Sequence, residues 1–320
     1  MSDLATRGIL IFTSPKAGTG QGHERVLELE AELRRSGLSV SLLNAPAALR
    51  GRTSGANESM QPGLIVAAGG DGTLALVARH ASAQTPLVPM PLGTENLLAR
   101  HFGYTNDVAR VTQTILKGCD RQIDAGLANG RLFLVMATCG FDAEVVRGMH
   151  LTRRGHITRW SYCGPILRAM RRYRFPELRV AISDDAGFDS CVLCRWAMLF
   201  NLPRYAASLG IEPEACEIDG WLNLAAFTRG SLANGFRYLA GIAMGRHIDW
   251  ADVIRRPITS CRITSSVPVA YQIDGDYAGK LPLDISVLPG RIRLRLPPSN
   301  VTISRYGSAV TPLNSASRSP

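Results

Sequence analysis

Carboxylates set among glycines are the residues of this chain best placed to do chemistry, and the stretch from Leu64 to Arg100, with Asp71 and Glu95, is the one around which the chain is organised. Gly69-Gly70-Asp71-Gly72-Thr73 follows an apolar run, Leu64 to Ala68, with the character of a buried parallel strand. Three glycines around one carboxylate let the backbone turn tightly and approach a ligand with no Cβ in the way. Behind them Leu74, Val77, Ala78 and Ala81 fall on one face of a helix. Strand, glycine turn and helix make a phosphate site, because backbone N–H groups and the helix N-terminus face the anion. The pattern repeats in apolar Leu87 to Pro91, the turn Leu92-Gly93-Thr94-Glu95-Asn96, and Leu97-Leu98-Ala99-Arg100. Loops at the carboxyl ends of strands line the ligand crevice of open α/β sheets. Two such loops, one βαβ unit apart, are therefore expected to face the same nucleotide.

A mostly parallel sheet must lie beneath them. Gly8 to Thr13 reads as its first strand and Ser14 to Gly20 as a glycine-rich loop, in which Lys16 is a candidate phosphate contact. That loop lacks the Gly-Lys-Ser/Thr of a Walker motif and the third glycine of a dinucleotide fingerprint. A helix over 22–36 carries Val26, Leu27, Leu29 and Leu33 on one side and ends at Gly37. Residues 39–43 form a second strand, and 50–62 read as a polar loop or frayed helix. A helix over 105–117 is expected, capped by Thr105 or Asn106 and ended by Gly118. From Arg121 the period changes to short or alternating apolar runs at 122–125, 131–139, 178–183, 191–201, 221–227, 261–266, 269–273 and 292–296. These predict an antiparallel sheet or sandwich. Helices interrupt it over 158–173, with Arg159, Arg168, Arg171 and Arg172, and over 231–244. The expected organisation is an α/β nucleotide-binding domain over 1–122, a β-rich domain over 123–300, and a Ser-rich, disordered tail over 301–320.

A chain of 320 residues can bury two cores. At 46% hydrophobic and 19% charged it has the balance of a soluble globular protein, and no apolar run reaches bilayer length. The first residues run into a strand without the regions of a secretory leader, so a cytoplasmic protein is expected. The net charge of +10 suits an anionic membrane face or polyanionic ligands. No basic run is interleaved with stacking aromatics and no zinc-finger spacing occurs, so nucleic acid is not an expected partner. Seven scattered cysteines read as reduced thiols, and Cys191-x-x-Cys194, inside an apolar strand-like run, reads as core packing.

The pair of glycine loops resembles the catalytic domain of the diacylglycerol kinase and sphingosine kinase superfamily, where a GGDGT loop is followed by a PLGT loop ending in Ala-Arg. NAD kinases also carry GGDG, so the second loop is what separates the two. Ser14 to Gly18 resembles the NPKSG-type segment of these kinases, with Ser14 for Asn. Gly140-Phe141-Asp142-Ala143 resembles their GxDA segment, and Asn201 onward resembles a segment where most members have a glycine run. Glu212 to Leu222 resembles the AP-x-A…DGxL motif. In bacterial members its aspartate binds Mg²⁺ with help from neighbouring carbonyls, which by position implies Asp219 with the carbonyls of Cys216 and Trp221. Gln272-Ile273-Asp274-Gly275-Asp276 resembles Q-x-DGE, whose acidic third residue takes the proton of the substrate hydroxyl; that residue is Asp276.

The resemblance covers about residues 8 to 300 and implies an ATP-dependent kinase acting on diacylglycerol or a related lipid alcohol. It implies ATP as co-substrate, cradled by Gly69, Gly70, Asp71, Gly72 and Thr73 and met from the second loop by Gly93, Thr94, Glu95 and Asn96. Asp71 would hold catalytic Mg²⁺ directly or through water, and Asp276 would act as base. Peripheral contact with an anionic inner membrane face is expected, and a homodimer is compatible with the pattern. Arg100 and the 168–172 arginines read as phosphate or headgroup contacts, or as a solvated helix face. Glu95 and Leu97 depart from the family's PLGTGND or PLGTAND, and Glu95 adds a carboxylate beside the phosphates. An NAD kinase is the alternative enzyme. A nucleotide- or lipid-binding protein without catalysis is the alternative outside the enzymes.

Overall fold

The computed structural model describes residues 6–14, 20–53, 61–152, 173–183, 190–203 and 210–298. Lys16, the arginines at 159–172 and the tail lie outside the described residues. The first part alternates strictly: β1 (Ile9–Thr13), α1 (Gln21–Arg35), β2 (Val40–Leu43), α2 (Pro46–Thr53), β3 (Leu64–Gly69), α3 (Asp71–His80), β4 (Leu87–Pro91), α4 (Leu97–His101) and α5 (Val108–Lys117). The strands lie in the order β2-β1-β3-β4, all parallel. Every residue of β1 and β3 is buried, as expected for strands covered on both faces. On α1 the residues Val26, Leu29 and Leu33 are buried, at the spacing of one helix face. The cap of α5 is Asp107 rather than Thr105 or Asn106; its carboxylate accepts the N–H of Arg110 at 2.9 Å. An aspartate in extended backbone just before the first turn competes well for that N–H.

The second part runs through β5 (Cys119–Ala128), β6 (Arg131–Phe133), β7 (Met136–Cys139), α6 (Phe141–Thr152), β8 (Leu178–Ser183), β9 (Ser190–Cys194) and β10 (Trp196–Phe200). It continues through β11 (Leu222–Phe227), α7 (Leu232–Ala243), β12 (Val253–Ile258), β13 (Ser260–Thr264), β14 (Ala270–Ile273), β15 (Asp276–Lys280) and β16 (Leu283–Leu296). Six strands form a wholly antiparallel sheet in the order β12-β11-β10-β7-β14-β15. The rest extend the first sheet as β16-β13-β8-β9, with β5 beside β16 and β6 beside β5. Apolar side chains from both sheets, among them Phe133, Val180, Leu199, Leu224 and Ile263, share one core. The fold is thus an α/β domain with a mostly parallel sheet followed by an antiparallel sandwich.

Two strands knit these parts together. β5 pairs β16 along nearly its whole length, with an irregularity between Leu288 and Ile292 where Gly290 takes φ +58°. Beyond it Leu294 sits opposite Leu87, so the end of β16 runs parallel beside β4. Asp120 fixes that end by accepting from Arg295 at 2.7 and 3.0 Å and pairing Arg293 at 2.9 Å. The run read as one strand over 191–201 is two. The chain leaves β9 at Arg195 and enters the other sheet as β10. Cys194 is buried and Cys191 exposed, as alternation along β9 requires.

Gly126 in β5 stands opposite Phe133, whose ring lies where a Cβ would be. Phe133 is fully buried and cannot retreat. Gly126→Ala is expected to destabilise the fold by about 1–3 kcal/mol, read as a lower midpoint in urea unfolding.

Candidate active site

The register Gly69↔Pro91 brings the ends of β3 and β4, and so both glycine loops, side by side. Leu92 N–H donates to the Gly69 carbonyl at 2.9 Å. A Cβ on Gly93 would stand 2.7 Å from the Gly70 Cα, so the two loops touch backbone to backbone. Only glycine permits that approach. Gly69 is equally constrained, because Thr73 folds back over it where a Cβ would lie. Asn96, with φ +49°, locks the second loop: its Oδ1 accepts from Gly93 N–H at 3.1 Å and its Nδ2 donates to the Gly93 carbonyl at 2.7 Å. Gly72, Gly93 and Thr94 remain exposed. The result is a backbone-lined ledge at the N-terminus of α3, the surface a phosphate chain needs.

Asp71 spans the two loops. Its Oδ2 accepts from Leu97 N–H at 2.9 Å and its Oδ1 from Leu98 N–H at 3.3 Å, so a residue of the first loop caps α4 in the second. Burial pushes its carboxyl upward, the two backbone donors oppose that, and the Glu95 carboxylate adds repulsion. Each oxygen keeps a second lone pair. Leu97, where the resembling kinases have aspartate, is buried.

A third loop closes on the first two. The β14–β15 hairpin turns through Asp274 (φ +47°) and Gly275 (φ +85°), the left-handed pair that suits a two-residue hairpin. The Asp274 carboxylate accepts three backbone N–H groups, from Leu134 and Val135 at 2.9 Å and Met136 at 3.0 Å. Gln272 braces the other side, accepting Gly275 N–H at 2.8 Å and donating to Asp142 at 3.1 Å. Asp142 is buried and also accepts from Thr138 at 2.6 Å. So held, the turn presents an exposed Asp276 whose Oδ2 lies 3.7 Å from where a Cβ on Gly72 would stand. Asp71, Gly72, Gly93, Asn96 and Asp276 therefore share one locale.

The 216–221 loop is joined to it through α4. Glu217 meets His101 at 3.3 Å, at the far end of the helix that Asp71 caps. Asp219 accepts from Trp221 N–H at 2.9 Å. Beneath it the buried Asp124 accepts Gly220 N–H and Gly290 N–H, each at 2.7 Å, tying the loop to the irregularity in β16. Burial pushes the Asp219 carboxyl up, and the nearby Asp124 and Glu217 carboxylates add to that. Among the described residues no three His, Cys, Asp or Glu side chains gather as a metal cluster. The set Asp219 with the Cys216 and Trp221 carbonyls is all oxygen, in a field made negative by two further carboxylates. It fits a hard dication such as Mg²⁺.

Sequence reasoning assigned no role to Asp124, Asp142, Gln272 or Asp274. Asp142, Gln272 and Asp274 lie inside recognised motifs. Asp124 carried no signal, because its partners Gly220 and Gly290 are far away in sequence.

Comparison with known proteins agrees with this architecture. The profile of the diacylglycerol kinase catalytic domain matches residues 8–128, and that of the YegS C-terminal NAD kinase beta sandwich-like domain matches residues 135–296. A diacylglycerol kinase of Staphylococcus aureus (strain bovine RF122 / ET3-1) is 26% identical over 296 residues, covering 90% of this chain and 91% of that protein. The crystal structure of a diacylglycerol kinase from Bacillus anthracis superposes with a TM-score of 0.69 at 20% identity, over 92% of this chain and 99% of that one. Yeast NADH kinase complexed with NADH shares the fold more distantly, with a TM-score of 0.54 at 11% identity over 97% and 89% of the two chains. The fold is that of a kinase family built on an α/β domain and a β-sandwich. The chain belongs to the diacylglycerol kinase family, in the form that carries a YegS-type C-terminal domain.

Burial outweighs the three donors at Asp274 and pushes its carboxyl up to about 6, with the Asp71 charge adding to the rise. The folded chain then keeps a proton there that the unfolded chain, near the ordinary value of 3.8, has released. This one group is expected to make the fold less stable as pH rises from about 4 to about 6. A carboxyl-carbon NMR titration of labelled aspartate should show one midpoint near 6 that Asp274→Asn removes. A midpoint at the ordinary carboxylate value would refute the assignment.

Proposed function

We propose that the chain is an ATP-dependent lipid kinase that transfers the γ-phosphate to a hydroxyl of diacylglycerol or a related lipid alcohol, working peripherally at the inner membrane face. The single observation that carries this reading is the meeting of Asp276 with Gly72. It sets an exposed carboxylate at the N-terminus of α3, beside the glycine loops. Phosphoryl transfer needs little beyond such positioning and charge stabilisation.

In this mechanism the ATP phosphates lie along the 69–73 ledge, with Gly93 and Thr94 facing them from the second loop; Lys16, in the loop after β1 and outside the described residues, is a candidate phosphate contact by its sequence alone. Asp71 and Asn96 act as positioning residues that keep the ledge in one shape. Asp276 takes the proton as the lipid oxygen attacks the γ-phosphorus, and ADP departs with the bridging oxygen. When bound, Mg²⁺ neutralises charge on phosphate oxygens. Asp71 and, in the 216–221 loop, Asp219 with the Cys216 and Trp221 carbonyls are the residues that would hold it. Glu95 works against the anion, and its removal should help nucleotide binding. The likeness to NADH kinase makes NAD(H) the second acceptor to test.

The test is transfer of labelled γ-phosphate from ATP into a total-lipid extract in detergent micelles, beside NAD(H) as acceptor. The wild type is expected to label a lipid. Asp276→Ala should lower that rate by roughly 10²–10⁴-fold with ATP affinity unchanged, and Glu95→Ala should tighten ATP binding a few-fold. Label in NAD(H) alone, or lipid labelling that survives Asp276→Ala, would overturn the reading.

A further inference from the structure

Helix α7 is apolar on both faces. Its inner face, Gly235, Tyr238, Gly241 and Ile242, is buried against the second sheet. Its outer face presents Leu232, Ala233, Phe236, Ala240, Ala243 and the following Met244, all exposed. Leu232, Phe236 and Met244 are 44%, 51% and 60% accessible. The exterior of α1 is mostly polar by contrast: it turns Glu24, Glu28, Arg34 and Arg35 to solvent, with Leu27 the one large apolar side chain among them. A helix without a polar face normally lies inside a protein or against lipid.

Arginines flank this stripe at both ends. Arg229 precedes the helix with its side chain 67% accessible although its Nε lies 3.3 Å from Asp252, and Arg246 follows it, exposed, with the exposed Asp249 three residues further on. Arg237 is the one charged residue within α7, and it is turned aside. Its guanidinium lies 4.1 Å from the centre of the Trp250 ring and makes two 2.7 Å bonds to Asp252. Tyr238 donates to the same carboxylate at 2.8 Å. This clamp holds α7 rigidly on the sheet with its apolar side outward.

The three large side chains open an apolar area on the order of 300 Å², a size at which a patch on a monomer is often functional. A stable dimer buries roughly 800 Å² per partner. A second copy laid on this stripe would fall well short of that and would bring arginine ends near arginine ends. A bilayer has no such area threshold, because each apolar side chain gains by entering the interface separately while flanking cations meet anionic headgroups.

We propose that the outer face of α7 is a membrane-docking surface: Leu232, Phe236 and Met244 enter the interface of an anionic bilayer, and Arg229 and Arg246 engage its headgroups. This deepens the lipid-kinase reading by naming the surface through which such an enzyme reaches its substrate. It gives a role to exposed residues that phosphoryl transfer leaves unused.

The test is co-sedimentation of the full chain with phosphatidylcholine vesicles, with and without phosphatidylglycerol, beside Phe236→Ser/Met244→Ser and Arg246→Gln. Both substituted apolar positions are exposed, so an unchanged thermal midpoint serves as the folding control. The wild type should bind the phosphatidylglycerol vesicles in a salt-sensitive way. The apolar double variant should bind at least five-fold more weakly at every salt concentration, and Arg246→Gln should lose mainly the salt-sensitive part. Phosphorylation of a short-chain, dispersed diacylglycerol should be unchanged in the double variant. Equal vesicle binding by wild type and double variant would overturn the proposal. So would a wild-type dimer that the double variant converts to monomer with vesicle binding intact, since the stripe would then serve a second copy. If no lipid is phosphorylated yet vesicle binding falls in the double variant, docking stands and the kinase reading falls. If lipid is phosphorylated while vesicle binding is indifferent to α7, the reverse holds.

Discussion

The Asp71 carboxylate accepts backbone donors from Leu97 and Leu98 across the gap between two loops, against the cost of its own burial. Much of the site hangs on this contact. It fixes α4, and α4 carries His101 to Glu217 and so reaches the 216–221 loop. It also sets how closely Gly70 and Gly93 approach, since Leu97 follows directly on Asn96, which locks Gly93. A carboxylate used as a helix cap in trans converts two flexible glycine turns into one rigid ledge. Glycine supplies the close approach and aspartate supplies the rigidity that glycine lacks.

The third loop follows the same logic with a different carboxylate. Asp274 holds three N–H groups of the segment entering β7, and Gln272 fixes the turn through Asp142 and Thr138. Asp276 therefore stands on a braced hairpin while remaining exposed. Rigid support beneath an accessible group is what positioning catalysis asks of a protein. The cost is a set of acids withdrawn from solvent, Asp124 and Asp142 buried and Asp71 and Asp274 half-buried, each satisfied by hydrogen bonds rather than by an ion pair.

Local pattern made much of this legible in advance. The buried run Leu64 to Ala68, the glycines after it and the helical spacing of Leu74, Val77 and Ala78 define β3, its turn and α3 as observed. The motif residues Gly72 and Asp276, two hundred positions apart, do meet. Illegible were the relations that depend on distant backbone. The break at Arg195 between β9 and β10 has no turn signal, because the strand only changes partners there. Strands β12 and β15 are hidden because Arg255, Arg256 and Lys280 dilute their alternation, and α6 because Val145, Val146 and Gly148 weaken its helical propensity. Asp124 reads as an ordinary polar residue in a strand, and its value appears only when Gly220 and Gly290 arrive from elsewhere.

The placement of β16 bears on how the chain is made. Its last residues run beside β4, so the parallel sheet that builds the glycine ledge lacks its neighbour until β16 has been synthesised. At ribosomal speed the interval between Pro91 and Ile292 lasts roughly 10–40 s, during which β4 presents an open, apolar edge able to pair with the wrong strand. The two halves of this chain are therefore a single unit of biosynthesis. The domain that comes first in the sequence is among the last to be completed, and the crevice between glycine loops matures only once the sandwich behind it has handed back its final strand.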